Sequence, residues 1–169
     1  MSKKLLVVVD MQNDFVTGAL ANIYAQKIVG DINDYIKNFD GEVVFTRDTH
    51  QPNYMETQEG SKLPFVHCIE GTEGWQIVDE IDIPANANIF NKPTFGSVDL
   101  ANYIKNNGFD CVEFCGVCTG ICVISNVALV KAFCPEVTVK VIERLCACVT
   151  PDTHKTAIDA MKTFQVDVI

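Results

Sequence analysis

Cys122 lies in the run Phe114-Cys115-Gly116-Val117-Cys118-Thr119-Gly120-Ile121-Cys122-Val123, where an apolar strand gives way to an apolar helix. The start of a helix offers unpaired N–H groups and a partial positive charge, and both favour a thiolate over a thiol. The position suits a nucleophile, and it suits a small buried hydrophobe equally well. A nucleophilic cysteine needs a proton acceptor and a group that stabilises its thiolate. Asp10, closing the run Leu5–Val9, offers the first, and Lys92, following Asn88–Phe90, offers the second. Each has a plainer reading: Asp10 as a turn residue, Lys92 as a solvated charge.

Asp48, His50 and His67 form a second constellation. Asp-x-His at the end of an extended segment holds two side chains close together, and His67 can return from the loop that follows. Two imidazoles and a carboxylate suit a first-row divalent cation with positions left open for water or substrate. Glu56 and Glu59 are further carboxylates in the same loop. The alternative is a set of solvated loop residues.

These residues need a scaffold that gathers strand ends. Short apolar runs at Leu5–Val9, Glu42–Thr46, Asn88–Phe90, Cys111–Cys115, Val137–Ile142 and Val166–Ile169 alternate with helical stretches near Ala21–Lys37, Val98–Asn106, Thr119–Phe133 and Asp152–Phe164. The runs lack a polar face, as in a parallel sheet covered on both sides. The alternation predicts a doubly wound α/β domain, whose ligands bind beyond the C-terminal strand ends. Asp10, Asp48, His50, Lys92 and Cys122 all fall on that edge. No repeat or linker divides residues 1–169, so the expectation is one domain. The stretch Asp48–Gln76 lacks regular pattern, and a loop that long in a compact domain is usually functional.

The composition narrows the function. A formal net charge of -9 argues against a nucleic-acid or anionic-membrane partner. No apolar run reaches the length of a membrane span, and the reading is a soluble, cytoplasmic protein. The chain has eight cysteines but is large enough to bury a core without disulfides, so reduced thiols are expected. Cys111, Cys115, Cys118 and Cys122 match neither the ferredoxin spacing nor paired zinc knuckles.

The motifs Val8-Val9-Asp10-Met11-Gln12-Asn13-Asp14-Phe15, Arg47-Asp48-Thr49-His50, His67-Cys68-Ile69-Glu70-Gly71-Thr72-Glu73-Gly74, Lys92-Pro93-Thr94-Phe95-Gly96-Ser97 and Gly116-Val117-Cys118-Thr119-Gly120-Ile121-Cys122-Val123 together resemble the isochorismatase-like cysteine hydrolases, and within them the nicotinamidase/pyrazinamidase branch. The resemblance implies a three-layer domain with a six-stranded, mostly parallel sheet in Rossmann-type order. It implies an Asp10–Lys92–Cys122 triad, a cis peptide between Val117 and Cys118, and an oxyanion hole from the N–H groups of Cys118 and Cys122. It supports a metal at Asp48, His50 and His67 with Glu59 as a further ligand, zinc first, with manganese and iron accepting the same donors. Phe15 would form one wall of the substrate pocket and Phe65 another. The family usually has Ala at position 118, and Cys118 is read as a structural variant. The Trp that often precedes the second metal histidine is missing from Leu63-Pro64-Phe65-Val66-His67. The implied reaction is deamidation of nicotinamide to nicotinate and ammonia through a cysteine thioester. Another small amide or N-carbamoyl substrate is the alternative, and a non-catalytic interaction domain a remote one. The resemblance also implies a homo-oligomer.

Overall fold

A run such as Leu5-Leu6-Val7-Val8-Val9 has no polar face and needs cover on both sides. In this computed structural model, which describes residues 2–169, that run lies in β1 (Lys4–Val9) at the middle of a six-stranded sheet, and all five residues are fully buried. The order is β3-β2-β1-β4-β5-β6, with β2 at Glu42–Asp48, β3 at Ile89–Lys92, β4 at Cys111–Val117, β5 at Thr138–Ala147 and β6 at Asp167–Val168. Every pairing is parallel, and Val7 sits between Val44 and Phe114.

Helices cover both faces. Leu6 and Val8 pack with Ala25, Ile28 and Ile32 of α2 (Ile23–Asn38), while Leu5, Val7 and Val9 face α4 (Val98–Asn107), α5 (Ile124–Phe133) and α6 (Pro151–Lys162). The helix starts are written locally. Ser97 accepts from the Leu100 N–H, and Thr150 forms a reciprocal capping pair with Thr153.

Two features depart from the sequence reading. The helix expected from Thr119 begins at Ile124, because Thr119–Val123 forms a wider, π-type turn. The long polar segment after β2 holds a single 3-10 turn at Tyr54–Glu56 and the short helix α3 (Gln58–Lys62); a four-residue helix, α1 (Asn13–Val16), follows β1. Such elements are too short to show a period. Among the described residues, no helix is long and apolar enough to cross a membrane.

Candidate active site

In this strand order the chain reverses direction across the sheet between β1 and β4, and a crevice opens beyond their ends. Asp10 stands just after β1 with φ +50°, a left-handed conformation that Asp tolerates better than most residues. The Thr46 hydroxyl donates to Asp10 Oδ1 at 2.6 Å, and Lys92 Nζ lies 2.7 Å from Oδ2. Oδ2 therefore faces the Lys92 ammonium. Burial raises the Asp10 pKa; Lys92 opposes this and Asp48 adds to it.

The neighbouring strand brings Cys122. Gly116 of β4 pairs with Val9 of β1 at φ +112°, and a Cβ there would lie 2.1 Å from the Val9 carbonyl oxygen. Glycine thus permits the close strand approach just before the turn that carries the cysteine. The Val117–Cys118 peptide is cis. Cys122 Sγ is buried 3.4 Å from Lys92 Nζ. Burial pushes the Cys122 thiol well above its ordinary pKa, and the Asp10 carboxylate adds to this against the pull of Lys92. Desolvation and the nearby carboxylate thus act against the thiolate that a helix start would favour. Burial alone would lower the Lys92 pKa, but Asp10, Cys122 and Asp48 hold it above its ordinary value, so Lys92 is a cation.

Beside this trio, ligand atoms of Asp48, His50, Glu59 and His67 all lie within 4.8 Å of one another. His50 Nε2 is 3.0 Å and His67 Nε2 is 3.4 Å from Asp48 Oδ2; Glu59 Oε1 is 3.7 and 3.9 Å from the two imidazoles. His67 Nδ1 donates to the Phe65 carbonyl at 2.7 Å, which aims Nε2 at the cluster. Tyr54, fully buried, packs its ring against both imidazoles. Two carboxylates and two imidazoles turned toward one point fit a first-row divalent cation. Burial and the neighbouring Asp48 charge both raise the Glu59 pKa, a cost that a bound cation would relieve. Glu56 lies outside the cluster.

Both groups open on one cavity of about 690 Å³, lined by Phe15, Asp48, Glu59, His67, Cys118 and Cys122 among others. Phe65 does not line it. The residue is 56% exposed, and its carbonyl accepts from His67. Leu63, Ile23, Tyr24 and Phe95 supply apolar wall instead. Trp75 packs elsewhere, under the Arg47 guanidinium, and donates to the Thr49 hydroxyl.

Residues 4–169 match the isochorismatase domain family. The chain belongs to the isochorismatase family. It is 28% identical over 184 residues to the nicotinamidase/pyrazinamidase of Mycobacterium tuberculosis, with 98% of each chain covered. It is similar to the crystal structure of the pyrazinamidase of Pyrococcus horikoshii in complex with zinc, at a TM-score of 0.88 and 29% identity over 99% and 98% of the two chains. It is also similar to the N-carbamoylsarcosine amidase of Thermoplasma acidophilum, at a TM-score of 0.82 and 28% identity over 98% and 95%.

This isochorismatase-family site also depends on residues to which the sequence alone gave no role. Gln12 is fully buried; its Nε2 donates to the Asp48 and Trp75 carbonyls, and its Oε1 accepts from the Asp48 N–H at 2.7 Å. Asn126, one helical turn after Cys122, donates to the Cys122 carbonyl at 2.8 Å. The Asp14 carboxylate accepts from the Cys68 N–H beside His67. An amide within an apolar stretch, as Asn126 is, was the available signal; Gln12, among Asp10, Asn13 and Asp14, carried none.

Proposed function

We propose that this protein is a metal-dependent cysteine amidohydrolase that converts nicotinamide to nicotinate and ammonia. The observation that carries the reading is Cys122 Sγ 3.4 Å from Lys92 Nζ, with Lys92 in turn 2.7 Å from Asp10, on a cavity shared with the Asp48, His50, Glu59 and His67 cluster. The similarity to a nicotinamidase/pyrazinamidase supports the substrate class.

Asp10 takes the Cys122 proton as the sulfur attacks the amide carbon. The proton moves between two buried groups, and Lys92 stabilises the thiolate that forms. The N–H groups of Cys118 and Cys122 bind the developing oxyanion, where one donor is typically worth about 3 kcal/mol of barrier. Asp10 then returns the proton to the departing ammonia. Water cleaves the Cys122 thioester, with Asp10 again the acceptor. Asp48, His50, Glu59 and His67 would hold a divalent metal, zinc first, which supplies Lewis-acid character and an anchor for the substrate's lone pair. Phe15 and the apolar wall exclude water and hold the ring. Localisation in the cytoplasm and assembly into a homo-oligomer belong to the same reading.

The test is ammonia release from nicotinamide by the metal-reconstituted protein. Release supports the reading. Release only from N-carbamoyl compounds would move the substrate to that class, which the likeness to an N-carbamoylsarcosine amidase and the exposed Phe65 keep in view.

A further inference from the structure

Val117 and Ala147 are the last registered partners of β4 and β5, and each is followed by a cysteine. Beyond that point Cys148 stays against the turn that Cys118 opens: its Sγ lies 3.5 Å from where a Cβ on Gly120 would stand. Neighbouring strands run about 4.8 Å apart, within the span that a disulfide bridges. Cys118 lines the active-site cavity, and Cys148 lines a separate groove of about 350 Å³ with Gly120, Thr153 and Ala157. Ile121 and Val149 border both spaces. Cys148 is buried in the wall of that groove.

The chemistry of the pair is unequal. Hydrogen bonding to the Cys118 thiol, helped against burial by the Thr153 hydroxyl and the N–H groups of Gly120 and Val149, draws the Cys148 pKa down to about 5. The other seven cysteines are all pushed above their ordinary value. Of the two, Cys148 is the one whose surroundings favour the thiolate, and thiolates are what attack disulfides.

We propose that Cys118 and Cys148 form a redox-active pair, which a low-molecular-weight disulfide converts into an internal disulfide beside the catalytic cysteine. The Cys148 thiolate attacks one sulfur of the small disulfide, forms a mixed disulfide and expels one thiolate. The Cys118 sulfur then attacks Cys148 and expels the second small thiol, which leaves carrying the Cys118 proton. Two protein thiols are oxidised and one small disulfide is reduced to two thiols. Cys118 also anchors the nucleophile's turn, since its carbonyl accepts from the N–H groups of Ile121 at 3.0 Å and Val123 at 3.1 Å. A side chain tied to Cys148 displaces that anchor and slows the reaction. The bond itself presumes nothing about the substrate; its effect on turnover rests on the amidohydrolase reading.

The experiment treats the full chain with oxidised glutathione and maps its peptides by mass spectrometry, with activity followed in parallel. The expected result is a Cys118–Cys148 cross-link with the mass of two hydrogens lost. Turnover should fall by about a hundredfold, return with dithiothreitol, and resist the treatment in Cys148→Ser. A glutathione adduct left standing on Cys148, a bond to Cys122, or unmodified thiols would each overturn the proposal. If no amide is turned over at all, the peptide map still decides the cross-link and only the hydrolase reading falls.

Discussion

Lys92 Nζ stands 3.4 Å from Cys122 Sγ, and both side chains are buried. A fully buried lysine is costly unless paired. Here it is paired on its other side, with Asp10 at 2.7 Å and Asp48 at 3.6 Å. One ammonium thus balances Asp10 and Asp48 and, in the proposed mechanism, the thiolate of Cys122.

Lys92→Met removes that balance. The variant leaves the buried Asp10 carboxylate without its cation, so it should lose about 3–5 kcal/mol of stability by chemical denaturation. Turnover should fall by roughly a thousandfold or more in the folded fraction, because the thiolate loses its cation. Wild-type stability with wild-type turnover would show that Lys92 plays neither role.

The acid limb of kcat/KM reports the free enzyme's base. The Asp10 pKa is raised from 3.8, chiefly by burial. Below that pKa Asp10 carries a proton and cannot accept another, so activity should fall as pH drops through a value above the ordinary carboxylate range. Lys92 is raised above 10.5, so its deprotonation should not limit activity below that pH. An acid limb at or below 3.8 would contradict Asp10 as the base.

Asp48→Ala removes the oxygen that both imidazoles approach. Elemental analysis should find its metal content reduced by about tenfold or more, with the wild type loaded near one equivalent. Equal loading of the two proteins would place the metal elsewhere.

Gly116→Ala tests the scaffold. Its φ of +112° is strained for alanine, and the new Cβ would meet the Val9 carbonyl oxygen. The change should cost about 3 kcal/mol, read as a lowered denaturation midpoint. A midpoint within error of wild type would show that β1 and β4 can separate there without loss.

The parallel sheet and the gathering of Asp10, Asp48, His50 and Lys92 were legible, because such a sheet sends its reactive residues to one edge and the runs that precede them are plainly apolar; the strand order followed only from the family resemblance. Cys122 was legible in position but not in charge state. The sequence showed a helix start, whereas the burial and the facing carboxylate are tertiary facts. Glu59 reaches the cluster from the five-residue helix α3, capped by Thr57, which no periodicity reveals. Phe65 was expected in the pocket wall but is more than half exposed and does not line the cavity, and burial is a tertiary fact that spacing does not contain. The approach of Cys148 to Cys118 needed the β4–β5 register, which sequence spacing does not contain.

The most direct measurement is ammonia release from nicotinamide by the metal-reconstituted wild type beside Cys122→Ala, with binding of the amide followed in both. The account predicts turnover of about 1 per second or faster in the wild type, with turnover lost and binding retained in the variant. Turnover near the wild-type rate in Cys122→Ala would contradict it, because no cysteine thioester could then lie on the path.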